Sequence, residues 1–144
     1  MEENKELIVA NSREISMDME VNSSQAYTSL GNETREEKAL LYRAMSNPDK
    51  RLGDCINQVI KVKDVYMEIV DMLNEETGEL VRTPRIVLID EKGVTYQCVS
   101  FGIFNALKRV FQVFGKPTWG EPIAMKVIQV TRKEKKMLSL DVQF

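Results

Sequence analysis

The stretch from residue 56 to residue 73 constrains the fold more than any other part of this sequence. It is rich in β-branched and apolar residues, and at 60–63 apolar and charged side chains alternate as in a half-buried strand. Asp64 then shifts the phase of the alternation, which indicates a bulge or a bend. A long, bent first strand that pairs on both sides is what a small β-barrel requires.

A β-hairpin follows this long strand. A polar turn at 74–78 leads to two β-rich runs, at 85–90 and 94–100. The three-residue loop between the two runs ends at Gly93, and glycine accepts the left-handed conformation that such loops demand. The sequence therefore predicts an antiparallel pair beside the long strand.

A helix and two more strands complete the order of elements. Ser100 is placed to cap a helix over residues 101–114. Two strands follow, at 122–131 and 137–144, and the turn that joins them, 132–136, is strongly basic.

Five antiparallel strands with a helix between the third and the fourth is the arrangement of the OB-fold. We therefore expect a mainly β protein, with an OB-fold barrel at residues 51–144. Residues 1–50 contain an alternating stretch at 15–21 and a capped helix at about 33–46, and we expect them to form an extension packed on the barrel. Another α+β sheet with the same order of elements is the alternative.

The predicted helix at 101–114 is apolar on more than one side. Its first stripe has the spacing of a helix face that packs on a core: Phe104, Leu107, Phe111 and Phe114. A second stripe, formed by Ile103, Val110 and Val113, lies beside it. This second stripe needs a cover, either from the N-terminal segment or from a partner chain.

Composition excludes several kinds of catalytic site. The chain has no histidine, so a Cys/His zinc site, a Ser-His triad and a Cys-His dyad are ruled out. Cys55 and Cys98 are expected to be reduced thiols in the core of a cytoplasmic protein. The acidic N-terminus and the lack of a long apolar run argue against a secretory signal and a membrane span. We expect no cofactor and no enzymatic activity, and a carboxylate–metal nuclease is the enzymatic alternative.

Charge is unevenly distributed along the chain. Residues 1–81 carry 9 Lys and Arg against 17 Asp and Glu, whereas residues 82–144 carry 11 against 5. A basic back half indicates a surface that binds a polyanion. Two solvated faces of unlike charge would produce the same counts.

The candidate binding residues follow from the expected fold. An OB-fold typically binds oligonucleotides across its second and third strands and the flanking loops. Single-strand binding needs cations that follow the phosphates and aromatic faces on which bases stack. The predicted DNA contacts are Lys61, Lys63, Tyr66, Arg82, Arg85, Tyr96, Trp119, Lys126, Arg132, Lys133 and Lys135. In the alternative interpretation the cations are solvated surface, the tyrosines are half-buried core, and Trp119 is a plug that closes the end of the barrel.

Six pieces of the sequence carry a family resemblance through their order. They are NPDKRLGD at 47–54, KVKDVY at 61–66, NEETGE at 74–79, PRIVLID at 84–90, VSFGIF at 99–104 and FGKPTW at 114–119. In these pieces the chain resembles the single-stranded DNA-binding proteins encoded by phages of low-GC Gram-positive bacteria. The resemblance implies an OB-fold protein that coats single-stranded DNA during phage replication in the host cytoplasm.

We therefore expect sequence-tolerant binding of single-stranded DNA. Other replication proteins are candidate further partners, weak self-association is compatible with the sequence, and no membrane partner is expected. The alternative is a protein-interaction module of a phage or replication complex, which uses the helix at 101–114 and binds no nucleic acid.

Overall fold

In the computed structural model, residues 26–144 are described and form a mainly β protein with one curled sheet and two α-helices. The strands are β1 (Ala26–Thr28), β2 (Lys50–Arg51), β3 (Val59–Asn74), β4 (Glu79–Asp90), β5 (Thr95–Val99), β6 (Ile123–Arg132) and β7 (Lys135–Val142). The helices are α1 (Arg35–Ser46) and α2 (Phe101–Phe114), and a 3-10 turn spans Leu52–Cys55. The strand predicted at 15–21 lies outside the described residues.

β3 is the strand around which the sheet is organised. The strands follow one another in the order β2, β5, β4, β3, β6, β7, and β1 also pairs with β3. β3 pairs with β4 over most of its length, with β6 at Val59–Val62 and with β1 at Tyr66–Glu68. The pairing register with β4 shifts between Val62 and Asp64, so the predicted bulge is confirmed.

One face of the sheet and α2 enclose the main core. Ser100 caps α2 by accepting a hydrogen bond from the backbone N–H of Ile103. The predicted core residues Phe104, Leu107 and Phe111 are buried against alternate side chains of the strands. The second apolar stripe is partly buried within the chain itself, since Ile103 and Val110 also belong to this core.

The prediction that Phe114 is a core residue is wrong. Phe114 is 48% exposed and Val113 is 75% exposed. The reason is that the last turn of α2 stands beside an open groove, which both side chains line, instead of lying flat on the sheet.

α1 covers part of the opposite face of the sheet. Thr34 and Glu37 form a capping box at its start, and the helix ends at Ser46. Its apolar stripe packs on outward-facing side chains of β3 and β4 in a second buried cluster: Leu40, Leu41 and Ala44 with Leu30, Tyr66, Val87 and Ile89. The middle of β3 and β4 is therefore buried on both faces.

The curled sheet is open along one side. Its edge strands among the described residues are β2 and β7. β2 runs parallel to β5, with Lys50 opposite Tyr96 and Arg51 opposite Gln97. The expectation of a mainly β, barrel-like protein is confirmed, but the described sheet has seven strands, because β1 and β2 join the five that the sequence predicts.

Gly102 provides a stability test of the contact between α2 and β7. A Cβ at this position would lie well inside van der Waals contact with the backbone carbonyl oxygen of Leu138. We expect G102A to lower the free energy of unfolding by about 1–3 kcal/mol, because overpacking outweighs the gain of about 1 kcal/mol in helix propensity. Urea denaturation measures the change.

The matched control is G120A, because a Cβ at Gly120 would meet nothing within 4 Å. We expect this variant to be as stable as the parent chain or slightly more stable. Equal stability of the two variants would contradict the close packing of α2 on β7.

Candidate nucleic-acid interface

The outward face of the β6–β7 hairpin combines cations with apolar side chains. Met125 and Val127 point into the core, so the residues that alternate with them point outward. Four cross-strand pairs follow one another on that face: Lys126 with Asp141, Ile128 with Ser139, Val130 with Met137, and Arg132 with Lys135. Val130 and Met137 are half-buried and lie between the cations of the turn and Lys126, and the methyl group of Met137 also lies beside Gly102 of α2.

A tight turn gathers the cations at the tip of this hairpin. Lys133 and Glu134 occupy the turn with φ values of 52° and 68°, as the type I′ geometry demands. Arg132, Lys133 and Lys135 are all exposed there. Since Glu134 is the single acid among residues 132–136, the tip is strongly positive.

β3 adds Lys61 to the same face. Lys61 lies opposite Ala124 and Val59 lies opposite Lys126, so the two lysines are diagonal neighbours. Lys61 is exposed, whereas Lys63 is half-buried at the bulge. There the backbone carbonyl oxygen of Lys63 accepts a hydrogen bond from the backbone N–H of Trp119 at 3.1 Å. We refer to these cations and the apolar residues between them as the basic hairpin face: Lys61, Lys126, Arg132, Lys133, Lys135, Ile128, Val130 and Met137.

Two of the predicted contacts, Tyr66 and Arg85, lie beneath α1. Tyr66 is 3% exposed and its hydroxyl donates to Glu68 at 2.9 Å, and burial raises the pKa of that hydroxyl. The Arg85 guanidinium is 3.3 Å from the Glu68 carboxylate and donates to the Ala44 carbonyl of α1 and to Gln97. The apolar stripe of α1 packs on this surface, so both side chains lie in the interior in this structure, and their contact with DNA stays a prediction.

Tyr96 and Trp119 are also core side chains. Tyr96 is 9% exposed and donates to Asp90 at 3.1 Å, and burial raises its pKa to about 12. Trp119 is 7% exposed, donates to the Gly115 carbonyl at 3.1 Å and meets Phe111 edge-on, with ring centroids 5.8 Å apart. Both rings therefore take the core positions of the alternative interpretation, and their stacking on bases stays a prediction.

Arg82 lies away from the basic hairpin face. It belongs to the distal part of β4, directly opposite Asp71 of β3. Its guanidinium is 3.6 Å from the Asp71 carboxylate. The charge of Arg82 is therefore balanced within its own hairpin.

Sequence reasoning missed Tyr42, a strongly exposed aromatic residue on α1. Its side chain is 70% exposed. Arg35 and Lys38 precede it by seven and four residues, so the three side chains share one side of the helix. The sequence does contain a signal for this exposure, because Tyr42 falls outside the apolar stripe of the helix that contains Leu41 and Ala44.

The described part of the chain shows no sign of a metal centre. Among residues 26–144, no group of three or more His, Cys, Asp or Glu side chains could hold a metal ion. Both cysteines in that range are free, and burial raises the pKa of Cys98 to about 12, so its thiol stays protonated at neutral pH. No helix between residues 26 and 144 has the length and apolar character needed to span a membrane.

Comparison with known proteins identifies one family. A family model described as phage single-stranded DNA-binding protein matches residues 20–143, which is well over half of the chain. The match includes the whole basic hairpin face. Comparison with curated proteins and with solved structures finds no significant match in either set.

The burial of Trp119 can be tested by fluorescence, because it is the one tryptophan of the chain. We expect a blue-shifted emission that acrylamide quenches weakly, since the core surrounds the indole ring. Saturation with a single-stranded oligonucleotide should change the intensity little. Urea-unfolded protein, in which acrylamide reaches the ring, is the control. Strong quenching by DNA would show that the ring stacks on bases and would contradict its core position.

Proposed function

Because the chain belongs to the family of phage single-stranded DNA-binding proteins, we propose that it coats single-stranded DNA, without reading sequence, during phage replication in the host cytoplasm. The family match carries the choice of ligand. The cations of the basic hairpin face support our proposal of where the single-stranded DNA binds. In this proposal the chain acts by binding alone and converts no substrate.

The arrangement of charge on the basic hairpin face suits a flexible polyanion. Arg132, Lys133 and Lys135 neutralise phosphates at the tip, and Lys61 and Lys126 neutralise phosphates further along the hairpin. Each neutralised phosphate releases counterions, which lowers the binding constant as salt rises. The apolar pair Val130 and Met137, between these cations, offers bases a contact that does not depend on their identity.

We propose that the curled sheet is an OB-type barrel with a displaced binding surface. The second and third strands of the barrel, β4 and β5, form the surface that an OB-fold typically uses. Here α1 packs over part of that surface, which supports binding on the neighbouring β6–β7 hairpin instead. In this proposal residues 1–50 are an extension of a barrel formed by residues 51–144.

Fluorescence anisotropy of a labelled oligo-dT of about 30 nucleotides tests the function directly. We expect tight binding at low salt that weakens steeply between 50 and 200 mM salt, because counterion release drives association. A duplex of equal length should bind far more weakly. Absence of binding to the single strand at low salt would reject the proposed function.

Two double variants of the basic hairpin face separate the roles of charge and of apolar contact. R132A/K135A should reduce the slope of log K against log salt by about 1.4, since each phosphate contact on a single strand contributes about 0.7. V130T/M137T should lower affinity several-fold and leave the slope unchanged.

The matched control for charge is R82A, because Arg82 is paired with Asp71 away from this face. We expect its affinity and its salt slope to equal those of the parent chain. If R82A weakens DNA binding as much as R132A/K135A does, the single-stranded DNA does not bind along the basic hairpin face.

A further inference from the structure

The distal part of the β3–β4 hairpin exposes apolar side chains on both of its sides. We refer to residues 69–83 as the arm. Met72 lies opposite Val81 and Leu73 lies opposite Leu80, so each pair forms one apolar contact surface. Leu73 is 60% exposed and Leu80 is 68% exposed, and residues 71–80 are all exposed. Apolar side chains left open in this way mark an interaction site.

The arm is a paired ribbon that stands clear of the rest of its own chain, since residues 71–80 are all exposed. The ladder runs without a break from Glu68 opposite Arg85 to Asn74 opposite Glu79. A compact turn closes it, in which the Asn74 side chain accepts a hydrogen bond from the Glu76 N–H at 2.9 Å. The tip therefore stands on the order of 20 Å beyond Glu68, at about 3.3 Å per residue.

A second open apolar surface lies between the end of α2 and β7. We refer to it as the α2 groove. Its volume is about 370 Å³. The apolar side chains along it include Ala106, Val110, Val113, Phe114, Leu140 and Val142. Val113, the most exposed of these, stands at its rim.

The arm of a chain lies away from the α2 groove of the same chain. The base of the arm adjoins the start of α2, where the Ser100 N–H donates to the Pro84 carbonyl at 3.2 Å. The groove lies along the second half of the helix, on the order of 10 Å further along its axis. Residues 71–80 are all exposed, so the arm does not fill the groove of its own chain, and the occupant of the groove comes from elsewhere.

Charge makes the two surfaces complementary. The arm carries four acids, Asp71, Glu75, Glu76 and Glu79, against Arg82. Among the described residues that line the groove, the one charged side chain is Arg109 of α2. An acidic ribbon with apolar pairs is thus matched by a groove with an apolar floor and a cation in its lining.

We propose that the arm of one copy docks in the α2 groove of the next copy. Two different surfaces meet in this contact, so it is head-to-tail and generates an open chain of copies unless the rotation between them closes a ring. The contact goes beyond the proposed function and needs no DNA. Cooperative coating of a long strand would follow from it, and that consequence alone rests on the proposed function.

Sedimentation velocity on the full chain at rising concentration tests the contact without DNA. The parent chain should assemble as its concentration rises, into an open chain of copies or a closed ring. The arm variant L73T/L80T and the groove variant V113E should stay monomeric. These side chains are 60–75% exposed, so folding is preserved, which circular dichroism verifies. The control variant M45E changes an exposed apolar residue of α1 and should assemble as the parent does.

A mixture of the two variants gives the decisive result. V113E keeps an intact arm and L73T/L80T keeps an intact groove. The mixture should therefore form dimers, one copy of each variant, that grow no further. A parent chain that stays monomeric at every concentration would overturn the proposal. Variants that assemble like the parent, or a mixture that stays monomeric, would overturn it equally.

A photo-cross-linking residue at position 113 identifies what occupies the groove. We expect cross-links to residues 69–83 of a second copy, which mixing of ¹⁵N-labelled and unlabelled protein separates from links within one chain. Cross-links to residues 1–25 would assign the groove to the N-terminal segment and overturn the proposal. Binding of an oligo-dT long enough for one copy should be unchanged in V113E, so a failure of this contact remains distinct from a failure of DNA binding.

Discussion

The bulge in β3 is the constraint on which the rest of the structure depends. Asp64 is 7% exposed at the bulge, and its carboxylate accepts hydrogen bonds from the hydroxyls of Ser29 and Thr118. A buried carboxylate needs such partners, so the segment after β1 and the link between α2 and β6 are both tied to this point. Before the bulge, β3 pairs with β6, and Lys61 is exposed on the basic hairpin face. Beyond it, β3 pairs with β1, passes under α1 and continues into the arm.

In our proposal, the position of α1 decides where single-stranded DNA lies. The helix has an apolar stripe that must be buried, and it buries that stripe on Tyr66, Val87 and Ile89. The Arg85 contact with the Ala44 carbonyl adds a polar anchor at the edge of the same cluster. This surface of β3 and β4 is thus covered by α1, whereas the β6–β7 hairpin exposes a basic face. In our account the extension relocates the binding surface.

Local sequence patterns predicted the helices and strands, but they did not predict which aromatic side chains are buried. Alternation with a period of two at 60–63 predicted a half-buried strand with Lys61 on its outer side, because side-chain direction along a strand is a local property. The basic run at 132–136 predicted the turn that carries Arg132. Capping residues likewise predicted both helices closely. The burial of Tyr66 depends on α1, which is distant in sequence, and an aromatic ring with a polar end suits either a core or a surface. The same ambiguity applies to Trp119, and Tyr42 went unnoticed because its exposure depends on which side of α1 meets the sheet.

The most direct test of this account is a lysine footprint, in which acetylation rates are measured by mass spectrometry with and without oligo-dT. The account predicts that DNA protects Lys61, Lys126, Lys133 and Lys135, and that Lys108 on α2 and Lys116 just after it react at the same rate as in the free protein. Protection of Lys38 and Lys50 near α1, with the hairpin lysines as reactive as before, would contradict it. That outcome would mean that α1 and the strands beneath it, and not the β6–β7 hairpin, hold the single strand.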